Sequence, residues 1–235
     1  RVFFIFYLFN FLKIENIYFF IYFYNTIHML SKLENENVNQ IYEKIAQHFD
    51  LTRVNKWDWV VDFLDKFKQH QLILDLGCGN GRNMEHNNLK FIGIDNCDKF
   101  VNICKEKGLN VLNSNITDVN LSNKIADGLI CIAVFHHLST HEHRIEALRE
   151  MKRLVKPGGK ILLSVWSINQ PLKTRRKFND FGNNIVVWNS YGKIFERYYY
   201  IFKIDEIKNL FRLVGLSLIT HQYSCGNEVF TLVRL

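Results

Sequence analysis

Beyond residue 37 the chain settles into a rhythm of short apolar runs separated by longer stretches with helical spacing. Residues 37–49 and 56–67 place apolar side chains on one helical face and predict two amphipathic helices. They lead into Leu72-Ile73-Leu74-Asp75-Leu76, whose near-continuous apolarity is that of a strand buried on both faces. A helix is expected to open at Gly81, ahead of a second strand over 90–94. Residues 97–107 are again helical in pattern and stop at Gly108, a good C-terminal glycine, before a third strand over 110–113. A strongly apolar fourth strand is predicted over 128–134 and a long helix over 141–154. The turn Lys156-Pro157-Gly158-Gly159 then launches a fifth strand over 160–166. Residues 167–200 read as irregular and basic, and the chain closes with a helix over 204–213 and two strands over 217–223 and 228–234.

Strands alternating with helices predict an α/β fold with a doubly wound parallel sheet. The last two strands are joined by a short turn around Gly226, which forces them antiparallel. A seven-stranded, Rossmann-like sheet with an antiparallel C-terminal hairpin is therefore expected. Ligands of such sheets sit at the carboxyl ends of the strands near the topological switch point.

The candidate chemistry lies at that place. Asp75 is followed by Gly77-Cys78-Gly79-Asn80-Gly81, a turn in which backbone can approach a ligand without a Cβ in the way. The order Asp-x-Gly-x-Gly-x-Gly differs from a dinucleotide fingerprint, whose last glycine falls one place later. It resembles the first motif of class I S-adenosylmethionine (SAM)-dependent methyltransferases. The second apolar run ends in Asp95, whose carboxylate can accept both ribose hydroxyls of a nucleoside. The resemblance implies SAM as cofactor, held by Asp75, Gly77, Gly79, Gly81, Asp95, Asn115, Ile116 and Ala133. The position after the third strand, usually acidic in this superfamily, is Asn115 here.

At 235 residues one α/β domain is the default, and a formal charge of +7 admits a polyanionic partner such as RNA. The five cysteines include no C-x-x-C pair and fit reduced thiols better than a disulfide framework. Residues 1–30 stand apart: they are dominated by Phe, Ile, Tyr and Asn, and Lys13 and Glu15 interrupt their apolar stretch before it reaches the length of a bilayer span. No small-residue cleavage site marks a signal peptide. The expectation is that this extension is AT-rich upstream sequence read through, that the native start is Met29, and that residues 31–235 form the methyltransferase domain with no membrane association.

Three further stretches narrow the resemblance. They are Ile41-Tyr42, Ala46, His48-Phe49 and Thr52-Arg53; then Ile132 to Thr140 with Glu142 and Arg144; then Arg197-Tyr198-Tyr199-Tyr200-Ile201-Phe202. Together they resemble the eukaryotic tRNA methyltransferases that esterify 5-carboxymethyluridine at the wobble position, including the methyltransferase part of AlkB-like fusion proteins. The family's usual Arg-Tyr-Tyr-His reads Arg-Tyr-Tyr-Tyr here. The resemblance implies tRNA as substrate, a small zinc-containing activator protein as partner, and a cytoplasmic location that extends to the nucleus.

The acceptor in that reaction is a carboxylate already ionised at neutral pH, so alignment and charge replace a strong general base. Arg53 and Arg197 are the candidates to hold it, since a guanidinium matches a carboxylate bidentately. Of His136 and His137, one is expected to orient the substrate and the other to be structural. His141 and His143 invite a zinc site, but no cysteine joins them, and no metal is expected. Lys173, Arg175, Arg176 and Lys177 are either a solvated face or a phosphate track. Trp57, Trp59, Trp166 and Trp188 read as packing residues rather than base-stacking platforms. Two rivals stay open: a small-molecule methyltransferase of the same fold, and a catalytically silent subunit that binds RNA or a partner.

Overall fold

Consecutive residues of β1 (Leu72–Leu76) point to opposite faces of the sheet, and both faces are covered. Ile73 packs with Trp59, Val60, Phe63 and Ile130 on one side, while Leu74 and Leu76 join Leu129, Phe135, Leu148 and Phe211 on the other. That double burial is the reason the strand reads as an unbroken apolar run. A computed structural model describes residues 32–174 and 177–235. The expectations for residues 1–30, for a start at Met29, and for Arg175 and Arg176 lie outside the described residues, as does the side chain of Lys173.

A π-helical turn, Asn35–Asn39, runs into α1 (Gln40–Thr52), and α2 (Asp58–Leu64) precedes β1. Then follow β2 (Lys90–Asp95), α3 (Asp98–Glu106), β3 (Val111–Asn113), β4 (Ala126–Ile132), α4 (His141–Leu154) and β5 (Val155–Trp166). A hairpin of β6 (Gly182–Ser190) and β7 (Lys193–Ile201) comes next, then α5 (Ile204–Val214), β8 (Ser217–Ser224) and β9 (Asn227–Val233). The main sheet has seven strands in the order β3-β2-β1-β4-β5-β9-β8. β1 to β5 are parallel neighbours, and β9 runs antiparallel to both β5 and β8, as the short turn at Gly226 requires. No helix among the described residues is long and apolar enough to cross a membrane.

Four local expectations change. No helix opens at Gly81: residues 81–89 form turns, with Met84 N–H donating to Gly81 O at 2.9 Å and Asn87 and Asn88 at positive φ. Met84 and the terminal Leu89 are the apolar residues of that asparagine-rich stretch, five apart, so the segment has no stripe to bury as a helix. β4 stops at Ile132, because Ala133 turns to φ +59° while its N–H donates to Ser164. β5 begins at Val155, which pairs with Ala126 ahead of the glycine turn. Finally, the stretch expected to be irregular carries β6 and β7, a separate two-stranded sheet. Its turn, Tyr191-Gly192, has φ of 50° and 82°, the primed geometry that matches the twist of paired strands. The alternation is hidden in the sequence because apolar Ile185 and Val187 face solvent while Val186 and Trp188 face inward.

Candidate active site

The carboxyl ends of β1, β2 and β4 open into a cavity of about 650 Å³, roofed by α1 and the β7 side of the hairpin. The glycine turn after β1 is tied to β2 by Gly77 N–H and Cys78 N–H, which both donate to Ile94 O. Gly79 N–H donates to Asp95 Oδ2 at 2.8 Å, and Cys97 N–H donates to Asp95 Oδ1 at 3.0 Å. Burial pushes the Asp95 carboxyl up to about 6, against these amides, which favour the ionised form.

Two of the glycines serve different ends. Gly77, at φ +73°, lies against Val134, which a Cβ would meet at 2.3 Å. Gly79, at φ +54°, faces open space, with only Phe49 within 3.8 Å of a Cβ built there. Gly79 is thus the place where bare backbone meets the cavity. Asn115, Ile116 and Ala133 line the cavity, together with Gly77 and Asp95. Asp75 and Gly81 sit behind that lining. Burial raises the Asp75 carboxyl to about 7; Arg82 and Asn83 favour its charge, but neither completes a hydrogen bond to it.

The other half of the cavity is aromatic and cationic. Arg53 ends α1, where Asn80 of the glycine turn donates to Arg53 O and to Asp50 Oδ1, both at 2.9 Å, and pins the helix end to the turn. Arg197 projects from β7 and is 4% exposed. Both guanidiniums lie over the Trp188 ring, at 5.2 Å for Arg53 and 4.6 Å for Arg197. Among the described residues no carboxylate pairs with either. Burial, and then the charge of Arg197, lower the proton affinity of Arg53. A buried and a half-buried guanidinium held side by side without a counter-ion are suited to hold an anion. Trp188 acts as packing, as expected, yet what it packs is the pair of arginines.

His136 is buried in the cavity lining, its Nδ1 accepting from Trp166 N–H at 3.0 Å, so in the neutral ring the proton is on Nε2. His137, also in the lining, is bonded at both ring nitrogens, to Tyr42 Oη and Tyr198 O. His143 pairs with Glu34 at 2.9 Å, and no group of three or more metal-ligating side chains occurs among the described residues. Trp57 stacks on Trp59, and Trp166 stacks on Tyr199 at 4.2 Å. Tyr42, Asn80 and Tyr199 escaped the sequence reading as site residues. Tyr42 and Tyr199 stood inside motifs that singled out Arg53 and Arg197, and Asn80 stood inside the glycine turn itself.

Residues 74–163 match the family model described as a methyltransferase domain. The chain is 38% identical over 146 residues to the tRNA (carboxymethyluridine(34)-5-O)-methyltransferase ALKBH8 of Mus musculus, an alignment covering 62% of this chain and 22% of that protein. It is 40% identical over 140 residues to the tRNA (carboxymethyluridine(34)-5-O)-methyltransferase of Arabidopsis thaliana, covering 59% and 35%. The chain therefore spans between about a fifth and a third of the length of these two relatives. The Schizosaccharomyces pombe protein of the same name is 33% identical over 217 residues, covering 83% of this chain and 94% of that protein. In fold, the chain is similar to a SAM-dependent methyltransferase from Clostridium acetobutylicum, with a TM-score of 0.62 at 14% identity over 82% of this chain and 98% of the other. With the yeast protein matched over nearly its whole length, the chain belongs to the tRNA (carboxymethyluridine(34)-5-O)-methyltransferase family of class I SAM-dependent methyltransferases.

Proposed function

We propose that the protein esterifies the carboxylate of 5-carboxymethyluridine at the wobble position of tRNA, with SAM as methyl donor. The observation that carries this reading is the Arg53–Arg197 pair: two guanidiniums on one indole, lining one cavity, without an acidic partner among the described residues. A substrate carboxylate supplies the missing negative charge.

The cofactor half fits its ligand. Asp95 uses its two oxygens to accept two backbone amides, and a carboxylate has about four lone-pair sites, which leaves two for ribose hydroxyls. Gly79 leaves room along the turn, and Asn115, Ile116 and Ala133 would flank the adenine side. When bound, SAM supplies a methyl group activated by a sulfonium. Arg53 and Arg197 hold the acceptor carboxylate and restrict its approach, and His136 orients the base from the cavity wall. No side chain has to remove a proton, because the acceptor is ionised at neutral pH. Asp75 and Gly81 shape the turn from behind.

Methylation of bulk tRNA lacking this ester, followed by nucleoside mass spectrometry, tests the reading. Appearance of 5-methoxycarbonylmethyluridine supports it; methylation of a small metabolite with tRNA untouched overturns it. We extend the proposal to a small zinc-containing activator protein and to a cytoplasmic and nuclear location. Exposed apolar side chains on β8 (Leu218, Ile219, Tyr223) and on the hairpin (Ile185, Val187, Ile194) are surfaces a partner could cover. Co-expression with the activator should raise solubility and turnover; a fully active lone chain counts against the partner.

A further inference from the structure

Arg197 is aimed by a chain of hydrogen bonds whose direction is fixed. A backbone carbonyl only accepts, so the 2.8 Å contact between His137 Nδ1 and Tyr198 O puts the ring proton on Nδ1. His137 Nε2 is then an acceptor, and the Tyr42 hydroxyl, 2.9 Å away, must donate to it. With its one proton committed, the Tyr42 oxygen can only present lone pairs to Arg197 Nη1, which donates to it at 3.3 Å. The rings of Trp188 and Tyr199 lie 4.6 and 5.2 Å from the guanidinium carbon and offer it no hydrogen-bond acceptor through their faces. Arg197 Nε has no hydrogen-bond partner, so the directional contact that orients the guanidinium is the one to Tyr42. Burial and the nearby Arg197 charge hold the His137 ring down to about 3, so its neutral form persists at physiological pH.

We propose that Tyr42 is a positioning residue whose hydroxyl, oriented by His137, aims the Arg197 guanidinium at the acceptor and sets the preference for a carboxylate over a neutral amide. The inference rests on the reading of Arg197 given under Proposed function. Tyr42 thereby links α1 to β7, the two elements that carry the two arginines. Its ring also packs against Phe49 and Phe100, contacts that phenylalanine retains.

The test compares binding of two anticodon stem-loops to the full chain, one carrying 5-carboxymethyluridine and one its isosteric, uncharged 5-carbamoylmethyl counterpart. The wild type should prefer the carboxylate by about tenfold or more, and Tyr42→Phe should lose most of that ratio. SAM affinity and binding of the carbamoyl loop should stay within about twofold, since the hydroxyl's bonds are to His137 and Arg197 and phenylalanine keeps the ring. His137→Gln, which keeps one acceptor and one donor, should retain part of the preference, and His137→Leu should match Tyr42→Phe. A wild type without preference refutes the carboxylate reading itself. A wild type with preference and an unaltered ratio in Tyr42→Phe overturns the role of Tyr42, as does a general loss that includes SAM binding.

Discussion

Gly79 and Asp95 are joined by a 2.8 Å hydrogen bond from the backbone amide of the glycine turn to the carboxylate at the end of β2. The acid that faces the cavity is therefore also the latch that holds the turn in place. Binding and preorganisation are coupled in one side chain.

Asp95→Ala removes both functions and should weaken SAM binding by at least about tenfold, since each lost charge-assisted bond is worth roughly 1.5–3 kcal/mol before water compensates. Calorimetry checks this, with circular dichroism to confirm that the fold persists. Asp95→Asn keeps one acceptor oxygen but turns an NH2 towards a backbone N–H, so it should bind nearly as poorly.

Two glycines of one turn should fail differently. Gly77→Ala drives a Cβ to 2.3 Å from Val134, in a backbone conformation that already disfavours alanine, and should destabilise the protein by roughly 1–3 kcal/mol. Gly79→Ala bears the same positive-φ strain but meets no such wall, so it should cost less stability than Gly77→Ala while its Cβ crowds the cofactor and lowers SAM affinity. Thermal melts with and without SAM separate the two.

Arg53→Ala or Arg197→Ala should cut turnover on carboxymethylated tRNA by about thirty- to a thousandfold while SAM affinity changes little. Lysine should rescue poorly at either position, because an ammonium lacks the planar fork. The double variant should be little worse than either single one if the two act on one carboxylate. Single-turnover rates and SAM titrations decide between this and independent roles.

Asp75 makes a prediction about pH. Burial, the largest cause, raises its folded-state carboxyl to about 7 from an ordinary value of 3.8, so the folded state holds a proton that the unfolded chain has already released. This contribution to stability is full below about pH 4 and is lost as pH rises towards and through 7. Asp75→Asn, which cannot ionise, should lack that loss. Its melting temperature relative to wild type should climb by several degrees between pH 5 and 8, matching roughly 2–4 kcal/mol. A constant difference across that range would mean Asp75 is ionised throughout.

The succession of strands was legible because each buries its own residues locally: Ile73, Leu74 and Leu76 are apolar whatever lies elsewhere in the chain. The glycine turn and Asp95 were legible for the same reason, since a positive φ and an acid at a strand end are requirements on single positions. The sequence suggests a helix after Gly81 because one usually follows such a turn, although Met84 alone in the segment enters a core cluster and gives a helix no apolar stripe. The β6–β7 hairpin stayed hidden because its outward face is as apolar as its inward one, which erases the alternation that marks a half-buried strand.

What the sequence by itself determined is thus the local chemistry: where the backbone turns, which runs are strands, and which arginines and histidines stand in motifs. Tertiary structure alone decided which of them meet. Arg53 ends a helix that precedes the sheet and Arg197 sits on a strand added after β5, yet both rest on Trp188. His136 and His137, adjacent and chemically identical, are told apart only by their partners, Trp166 N–H for one and Tyr42 with Tyr198 O for the other. Hydrogen-bond direction and the repulsion of unpaired charges act over a few ångströms, and those distances exist only once the chain has folded.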